Sequence, residues 1–394
     1  MLRRSLLLAA AKGATYGATY RATYRATYGA VAGAASMAMP ALAQPRAIVL
    51  GQSAAFSGPA AELGRQFKIG ADMYFERSNA RGGINGRAVE LRILDDGYEP
   101  DRCVENTRKF IQDGVLALFG YIGTPTSIAA MPLAVAAGTP FVAPFTGAQA
   151  LREPFNRYAF HVRASYYDET AEIVKQLTAV GIKHIAVFYQ NDSYGKAGLD
   201  GVTRALAPLN LKPTALGTVE RNTVDVAQAV KTIVAVRPDA IVLISAYRSC
   251  AAFIREARKA GFLGAFYNVS FVGTAALSKE LGADARGVVV SQVMPFPFSP
   301  TTAIAGDYLS AGKAKYRDKF DPNYSSMEGF VAAKVLVEAL RRGGAQKAEA
   351  LITGLEKLRD FNTGGFWVDF APDKHAGSRF VEMTILTAEG KVRR

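Results

Sequence analysis

The feature that most restricts the fold is a rhythm of short apolar runs, each followed by a helical pattern. "AIVLGQ" is followed by a stretch with Leu63, Phe67, Ala71 and Tyr74 at spacings of three and four, the signature of a helix with one apolar face. "AVELRIL" alternates Val89, Leu91 and Ile93 with Glu90 and Arg92, which predicts a strand with one wetter face. Just before it, "GGINGR" reads as an Asn85-Gly86 turn. "VLALFG" and "PFVAP" show no alternation, as strands covered on both faces should not. A second series starts at His184 with "HIAVFYQ", "TALGTVE", "AIVLISA", "AFYNVSF" and "GVVVSQV". Strand starts recur about every 25–30 residues, roughly one strand–helix unit. Parallel strands need such crossovers, so two series predict two parallel α/β lobes. The last third differs. Helical patterns over 301–319 and 327–342 precede "GGFWVDF" and "RFVEMTIL", which read as a strand pair joined by "APDKHAGS". The chain is therefore expected to cross between the lobes more than once.

With 394 residues, 49% hydrophobic and 21% charged, there is enough apolar material for two cores. The net charge of +13 is unevenly spread: Arg3, Arg4, Lys12, Arg21 and Arg25 precede residue 44, a stretch without any acid. The remaining excess is dispersed and forms no dense basic cluster, which argues against nucleic-acid binding. Cys103 and Cys250 are the only cysteines, no CxxC occurs, and His161, His184 and His375 lie far apart, so the usual zinc spacing is absent. The two cysteines are expected in different lobes, buried and unpaired.

The N-terminus reads as an address. "MLRRSLLLAAA" supplies a positive start and an apolar core, and Ala41-Leu42-Ala43 places small residues ahead of a cut after Ala43. No cysteine follows to carry a lipid, and past residue 44 there is no apolar run of about 18 residues, the length a membrane span needs. Residues 1–43 are thus expected to be a secretory signal, and the mature chain periplasmic. Within that signal sits "GATYGATYRATYRATYGA". Tyr16, Tyr20, Tyr24 and Tyr28 beside Arg21 and Arg25 suit a membrane-surface helix. Gly is a poor helix former, Thr and Tyr are indifferent ones, and no large aliphatic face is present, which favours a tandem expansion of the signal instead.

Chemistry is conspicuous by type. "GQSAAFSG" is neither GxGxxG nor a GxxxxGK[ST] loop, and no GxSxG elbow occurs, so neither catalysis nor a cofactor is expected. Asp95-Asp96 suits a cation or a solvated turn, and adjacent acids on a strand end favour the turn. What recurs is a hydroxyl-rich turn after a buried strand. "FGYIGTPTS" carries Thr124, Thr126 and Ser127 into a helix, and "APFTGA" carries Thr146 and Gly147. Helix-start N–H groups beside hydroxyls hold carboxylates, and ligands of open α/β sheets lie beyond the strand carboxyl ends. Taken singly these are ordinary caps; two adjacent strands ending alike point to a site. In the second series, Tyr194 of "NDSYGKAG" and Tyr247 of "SAYRSC" follow strands and would face the same cleft, apolar yet able to donate. Glu328 of "SSMEGF" either faces the ligand or closes a Ser325-x-x-Glu328 capping box, the preferred reading.

The ordered set "SAAFSGPAAELG", "ARGGINGRAVELRILDDG", "YIGTPTS", "FVAPFTGA", "HVRASYYDET" and "YQNDSYGKAG" resembles the periplasmic leucine/isoleucine/valine-binding proteins of ABC transporters, over nearly all of the mature chain. The resemblance implies the type I periplasmic-binding-protein fold: two Rossmann-like lobes, three crossovers near 160, 294 and 357, and a ligand cleft between them. The lobes are then 44–160 plus 294–357, and 161–293 plus 358–394. It implies a carboxylate-holding hydroxyl at Thr124, a second anion-binding turn over Phe145, Thr146 and Gly147, tyrosines at Tyr194 and Tyr247, and an ammonium-facing acid at Asp168. It further implies a monomeric, non-enzymatic receptor that hands a small-molecule carboxylate to an inner-membrane ABC permease. There are departures. The family's principal ammonium-binding glutamate has no counterpart, since "NVSFVG" offers Ser270; Leu63 replaces an aromatic wall residue; Gly147 stands where a hydroxyl residue is usual. Tyr98 and Gly123 occupy the places of the small-lobe disulfide. A ligand without an α-amino group, such as an aromatic, hydroxy or dicarboxylic acid, fits those departures, while Asp168 keeps an amino acid open. The rival readings are a ligand-sensing receptor domain, which would need a DNA-binding helix pair or a membrane span, and an enzyme, for which no nucleophile and base are evident.

Overall fold

The computed structural model describes residues 46–394, so the expected signal, its cut after Ala43 and the ATY repeat lie outside the described residues. Five parallel strands, β1 (Ile48–Ala54), β2 (Val89–Asp95), β3 (Ala117–Phe119), β4 (Phe141–Val142) and β5 (Ala159–Phe160), form one sheet in the order β2-β1-β3-β4-β5. Helices α1 (Ala61–Ala80), α2 (Pro100–Gln112) and α3 (Thr124–Ala136) make its crossovers. β2 is one of the two edge strands and the wettest of the sheet, as its alternating sequence requires. The Asn85-Gly86 turn leads into it with positive φ at both residues (52° and 77°), closed by an Ile84–Arg87 bridge.

After α4 (Tyr166–Ala179) the second series follows: β6 (Ile185–Gln190), α5 (Ser193–Leu206), β7 (Leu216–Val219), α6 (Ala227–Ala235), β8 (Ala240–Ile244), α7 (Tyr247–Lys259), β9 (Ala265–Asn268), α8 (Thr274–Leu281) and β10 (Val289–Gln292). The chain then runs through α9 (Ala303–Tyr316), α10 (Tyr324–Gly343), α11 (Ala348–Glu356), β11 (Phe361–Asn362), β12 (Trp367–Val368), β13 (Glu382–Leu386) and β14 (Val392–Arg393). The second sheet has the order β14-β13-β10-β9-β8-β6-β7, antiparallel only at β13. β6 and β8 carry continuous apolar runs because helices cover both their faces.

The helical return belongs to the first lobe. α10 lies so close to α1 that a Cβ on Gly70 would sit 1.7 Å from Ser326 O, and one on Gly329 would sit 1.9 Å from Phe67 O. That approach presses the adjacent Glu328 into the interior. Two expectations change here. "GGFWVDF" and "RFVEMTIL" do not pair with each other: β12 pairs with β11, whereas β13 pairs with β10 and β14. The edge of β10 needs backbone partners, and β13 satisfies them. The β11–β12 hairpin still bonds to the first lobe, with Lys334 Nζ donating to Thr363 O at 2.6 Å and Ile304 N to Gly364 O at 2.8 Å, and the chain joins the second sheet only at Glu382. The capping box at Ser325 also does not form. α10 starts at Tyr324, Asn323 caps it by accepting from Ser326 N at 2.9 Å, and Glu328 falls inside the helix, buried. Cys103 on α2 and Cys250 on α7 are buried and unpaired, as expected.

Candidate functional site

The two hydroxyl turns of the first lobe converge. β3 feeds α3 through Gly123, and β4 feeds the turn that carries Phe145 and Thr146. Thr124 Oγ1 lies 2.6 Å from Thr146 Oγ1, and the Thr146 hydroxyl lies 3.4 Å from the Tyr166 hydroxyl; all three residues are buried. Gly147 is needed because a Cβ there would lie 2.6 Å from Tyr166 N and 2.7 Å from its ring. Burial pushes the Tyr166 phenol up to about 12, so it stays a neutral donor.

An aromatic cluster closes over this pair from the other lobe. The Phe271 ring, in the short turn after β9, lies 5.7 Å from Phe145, 6.0 Å from Tyr98 and 4.5 Å from Tyr194, which is itself 5.4 Å from Tyr166. Tyr98 is held at φ 65°, a left-handed conformation, by its N–H donating to Asp96 Oδ1 at 2.8 Å, while Ser53 Oγ donates to Asp96 Oδ2 at 2.7 Å. Its ring crosses Gly123 (φ 99°), where a Cβ would fall 2.2 Å from Tyr98 Cε2. Asp95 and Asp96 thus build this loop. Burial pushes Asp96 up to about 6. At Asp95 burial also raises the carboxyl, but the Ser57 hydroxyl and the amides of Phe56, Gly97 and Ser57 outweigh it and hold it at about 2. The solvated-turn reading fails for Asp96, which is fully buried; among the described residues no group of three or more His, Cys, Asp or Glu could hold a metal ion.

Over the Phe145 ring stands a charged pole. Arg163, on the crossing segment after β5, is fully buried, with its guanidinium 4.7 Å above the Phe145 ring centroid. Its Nη2 donates to Ser270 Oγ and lies 3.6 Å from Glu169 Oε1, and its Nη1 lies 3.7 Å from Glu328 Oε1. Glu169, also fully buried, accepts from Ser270 N (2.7 Å), Ser270 Oγ (3.0 Å) and Ser291 Oγ (2.6 Å). Burial raises its carboxyl above the usual range, against the pull of Arg163 and these serines. Burial likewise lifts Glu328 to about 7, opposed by Arg163 and reinforced by Glu169. At the cleft rim, Arg221 Nη2 and Asn222 Nδ2 of the second lobe donate to Glu99 at 2.8 and 2.7 Å, so the lobes are closed on one another.

Of the residues expected in the site, Thr124, Phe145, Thr146, Gly147, Tyr194 and Ser270 come together around this cluster. Leu63 and Tyr247 lie at its edge: Leu63 Cδ2 would be 2.4 Å from a Cβ on Gly273, and Tyr247 faces the Glu62 backbone. Leu63 also lines an interlobe cavity of about 530 Å³ with Gln66, Ala276, Phe298 and Asn323. Thr126 does not join them, because its hydroxyl donates to Ile122 O at 2.5 Å and Gly123 O at 3.1 Å within its own turn. Asp168 does not either. It closes a capping box with Ser165, pairs with Arg379 at 2.9 Å, and lines a separate cavity of about 630 Å³ with Arg152, His161 and His375. The acid that reaches Ser270 is its neighbour Glu169. Arg163, Glu169, Tyr98, Tyr166 and Phe271 are not legible as site residues in the sequence; the one available signal is an arginine inside the largely apolar "AFHVRA".

Residues 47–391 match the sequence model described as "Periplasmic binding protein". Over 322 residues the chain is 24% identical to Leu/Ile/Val-binding protein homolog 2 of Brucella abortus (strain 2308), covering 80% of this chain and 84% of that protein. Its fold superposes on a possible leucine/isoleucine/valine-binding protein from Rhodopirellula baltica SH 1 with TM-score 0.85 and 34% identity, over 89% of this chain and 96% of that one. A fatty acid ABC transporter substrate-binding protein from Thermomonospora curvata shares the fold at TM-score 0.79 and 22% identity, over 88% and 91% of the two chains.

Proposed function

This chain belongs to the periplasmic binding protein family, of the branched-chain-amino-acid type, and from that premise we propose that it captures a small carboxylate between its lobes and delivers it to an ABC permease. The observation that carries this reading is the meeting of Thr124 and Thr146 at the ends of two adjacent strands, 2.6 Å apart and buried. Two hydroxyls placed there exchange their mutual bond for a carboxylate at little cost, beside the start of α3. Tyr166 adds a hydroxyl at the same spot, with the Tyr194 ring packed 5.4 Å from its own, and the ligand's apolar part extends toward the cavity beside Leu63. Hinge closure then makes both lobes contact one ligand, so that recognition and closure are a single event. Thr124, Phe145, Thr146, Gly147, Tyr194 and Ser270 form the proposed site, with Leu63 and Tyr247 at its margin.

A thermal-shift screen of the purified mature chain against amino acids, aromatic acids and short dicarboxylates tests this. A ligand at a hundredfold excess over its Kd stabilises the fold by about 2.7 kcal/mol, a clear rise in melting temperature. A screen in which none of these acids raises the melting temperature counts against the carboxylate reading. We also propose that residues 1–43 direct export to the periplasm and are cut after Ala43. Mass spectrometry of the periplasmic form should then begin at Gln44, and deleting Ala14 to Gly29 should raise periplasmic yield.

A further inference from the structure

The place where the resemblance expects a ligand-facing glutamate is instead occupied by Ser270, with Glu169 tied behind it. Three donors already bind the Glu169 carboxylate, and Arg163 stands 3.6 Å away as its counter-charge. A carboxylate so saturated has little capacity left for an ammonium. Three groups beside it are of the opposite kind. Arg163 Nε and Nη1 and the Tyr194 hydroxyl are buried without any hydrogen-bond partner, and all three can donate. Arg163 adjoins the site through Phe145 and Ser270, and Tyr194 adjoins it through Phe271. The carboxyl group paired with Nη1 is Glu328, at 3.7 Å, beyond hydrogen-bond reach. Buried N–H groups of a guanidinium left unbonded are costly, and an oxygen acceptor entering the cleft would satisfy them. An ammonium at the same place would meet the fixed Arg163 charge, while Glu169 is already saturated by three donors and burial holds Glu328 toward its neutral acid.

We propose that Arg163 determines specificity, and that the ligand is a small acid bearing a second oxygen acceptor, a carboxylate or a keto group, where an amino acid carries its ammonium. One carboxylate rests on Thr124 and Thr146, and the second acceptor takes the Arg163 fork. This assignment rests on the carboxylate reading above and narrows it.

The test is titration calorimetry of the mature protein with two matched pairs: L-leucine against 4-methyl-2-oxopentanoate, and L-glutamate against 2-oxoglutarate. The oxo member of at least one pair should bind at least about tenfold more tightly, the worth of one hydrogen bond to a charged group. Arg163→Lys keeps the charge beside Glu169 but loses the planar fork, and it should erase most of that preference while unfolding at a similar temperature. Should Arg163→Lys fail to fold, the wild-type comparison alone decides. Amino acids binding as tightly as their oxo partners overturns the proposal and leaves the carboxylate reading intact. A preference that survives Arg163→Lys overturns it as well. Binding of none of the four acids overturns this assignment, while the wider thermal-shift screen decides the carboxylate reading separately.

Discussion

The two poles of the cleft are both polar and both buried, yet they are built on different principles. The Thr124–Thr146 pole is neutral. Its hydroxyls rotate, and exchanging one partner for another costs little, since a typical buried hydrogen bond contributes only about 0.5–1.5 kcal/mol net. The Arg163 pole is charged, and each buried ion carries a desolvation penalty of several kcal/mol that only its partners offset. A neutral pole accepts any carboxylate; a charged pole rejects whatever has the wrong sign. Affinity is thus expected from the first and selectivity from the second, a division that substitutions can break.

The largest effect should come from Glu169→Ala. It strands Arg163 and three donors, and chemical denaturation should show a loss of about 3–5 kcal/mol. A loss below about 1 kcal/mol would mean that Glu328 alone balances the arginine, and the contrast between the poles would collapse. Next comes pH. Because the Glu328 carboxyl is raised to about 7 in the folded chain, the folded state holds a proton that the unfolded state releases at lower pH. Its contribution is therefore fully present below the usual carboxylate range and is lost as pH rises through about 7. Glu328→Gln should flatten that decline in a series of melting curves between acid and neutral pH. Thr146→Val should weaken the best acid ligand about tenfold by calorimetry while shifting stability by no more than about 1 kcal/mol. Smallest of all, Asp168→Ala removes the reciprocal half of the Ser165 capping box on α4, costs about 1 kcal/mol of stability, and leaves ligand affinity unchanged.

The same contrast explains what the sequence could reveal. The hydroxyl turns lie within a few residues of the strands that aim them, so Thr124 and Thr146 are visible as a local pattern. The charged pole draws on five separate segments, with Arg163 after β5, Glu169 on α4, Ser270 after β9, Ser291 on β10 and Glu328 on α10. No spacing rule joins them. Asp168 and Glu169 are adjacent acids on one helix, about 100° apart around its axis, and only the surrounding fold decides which caps and which is buried. Strand propensity behaves alike: β12 and β13 were evident as strands, but a partner is chosen by the open edge of β10, which the local sequence does not contain.

Tyr98 lying across Gly123 has a consequence outside recognition. In the family this chain resembles, a covalent crosslink occupies those two places; here the contact is a ring against a glycine, and the only two cysteines are buried, unpaired and in different lobes. Burial also pushes both thiols far up, which leaves almost no thiolate to be oxidised. The first lobe therefore needs no oxidising step to mature, and a reductant finds no bond in it to cut. Ligand capture by this protein should be the same in reducing and oxidising media.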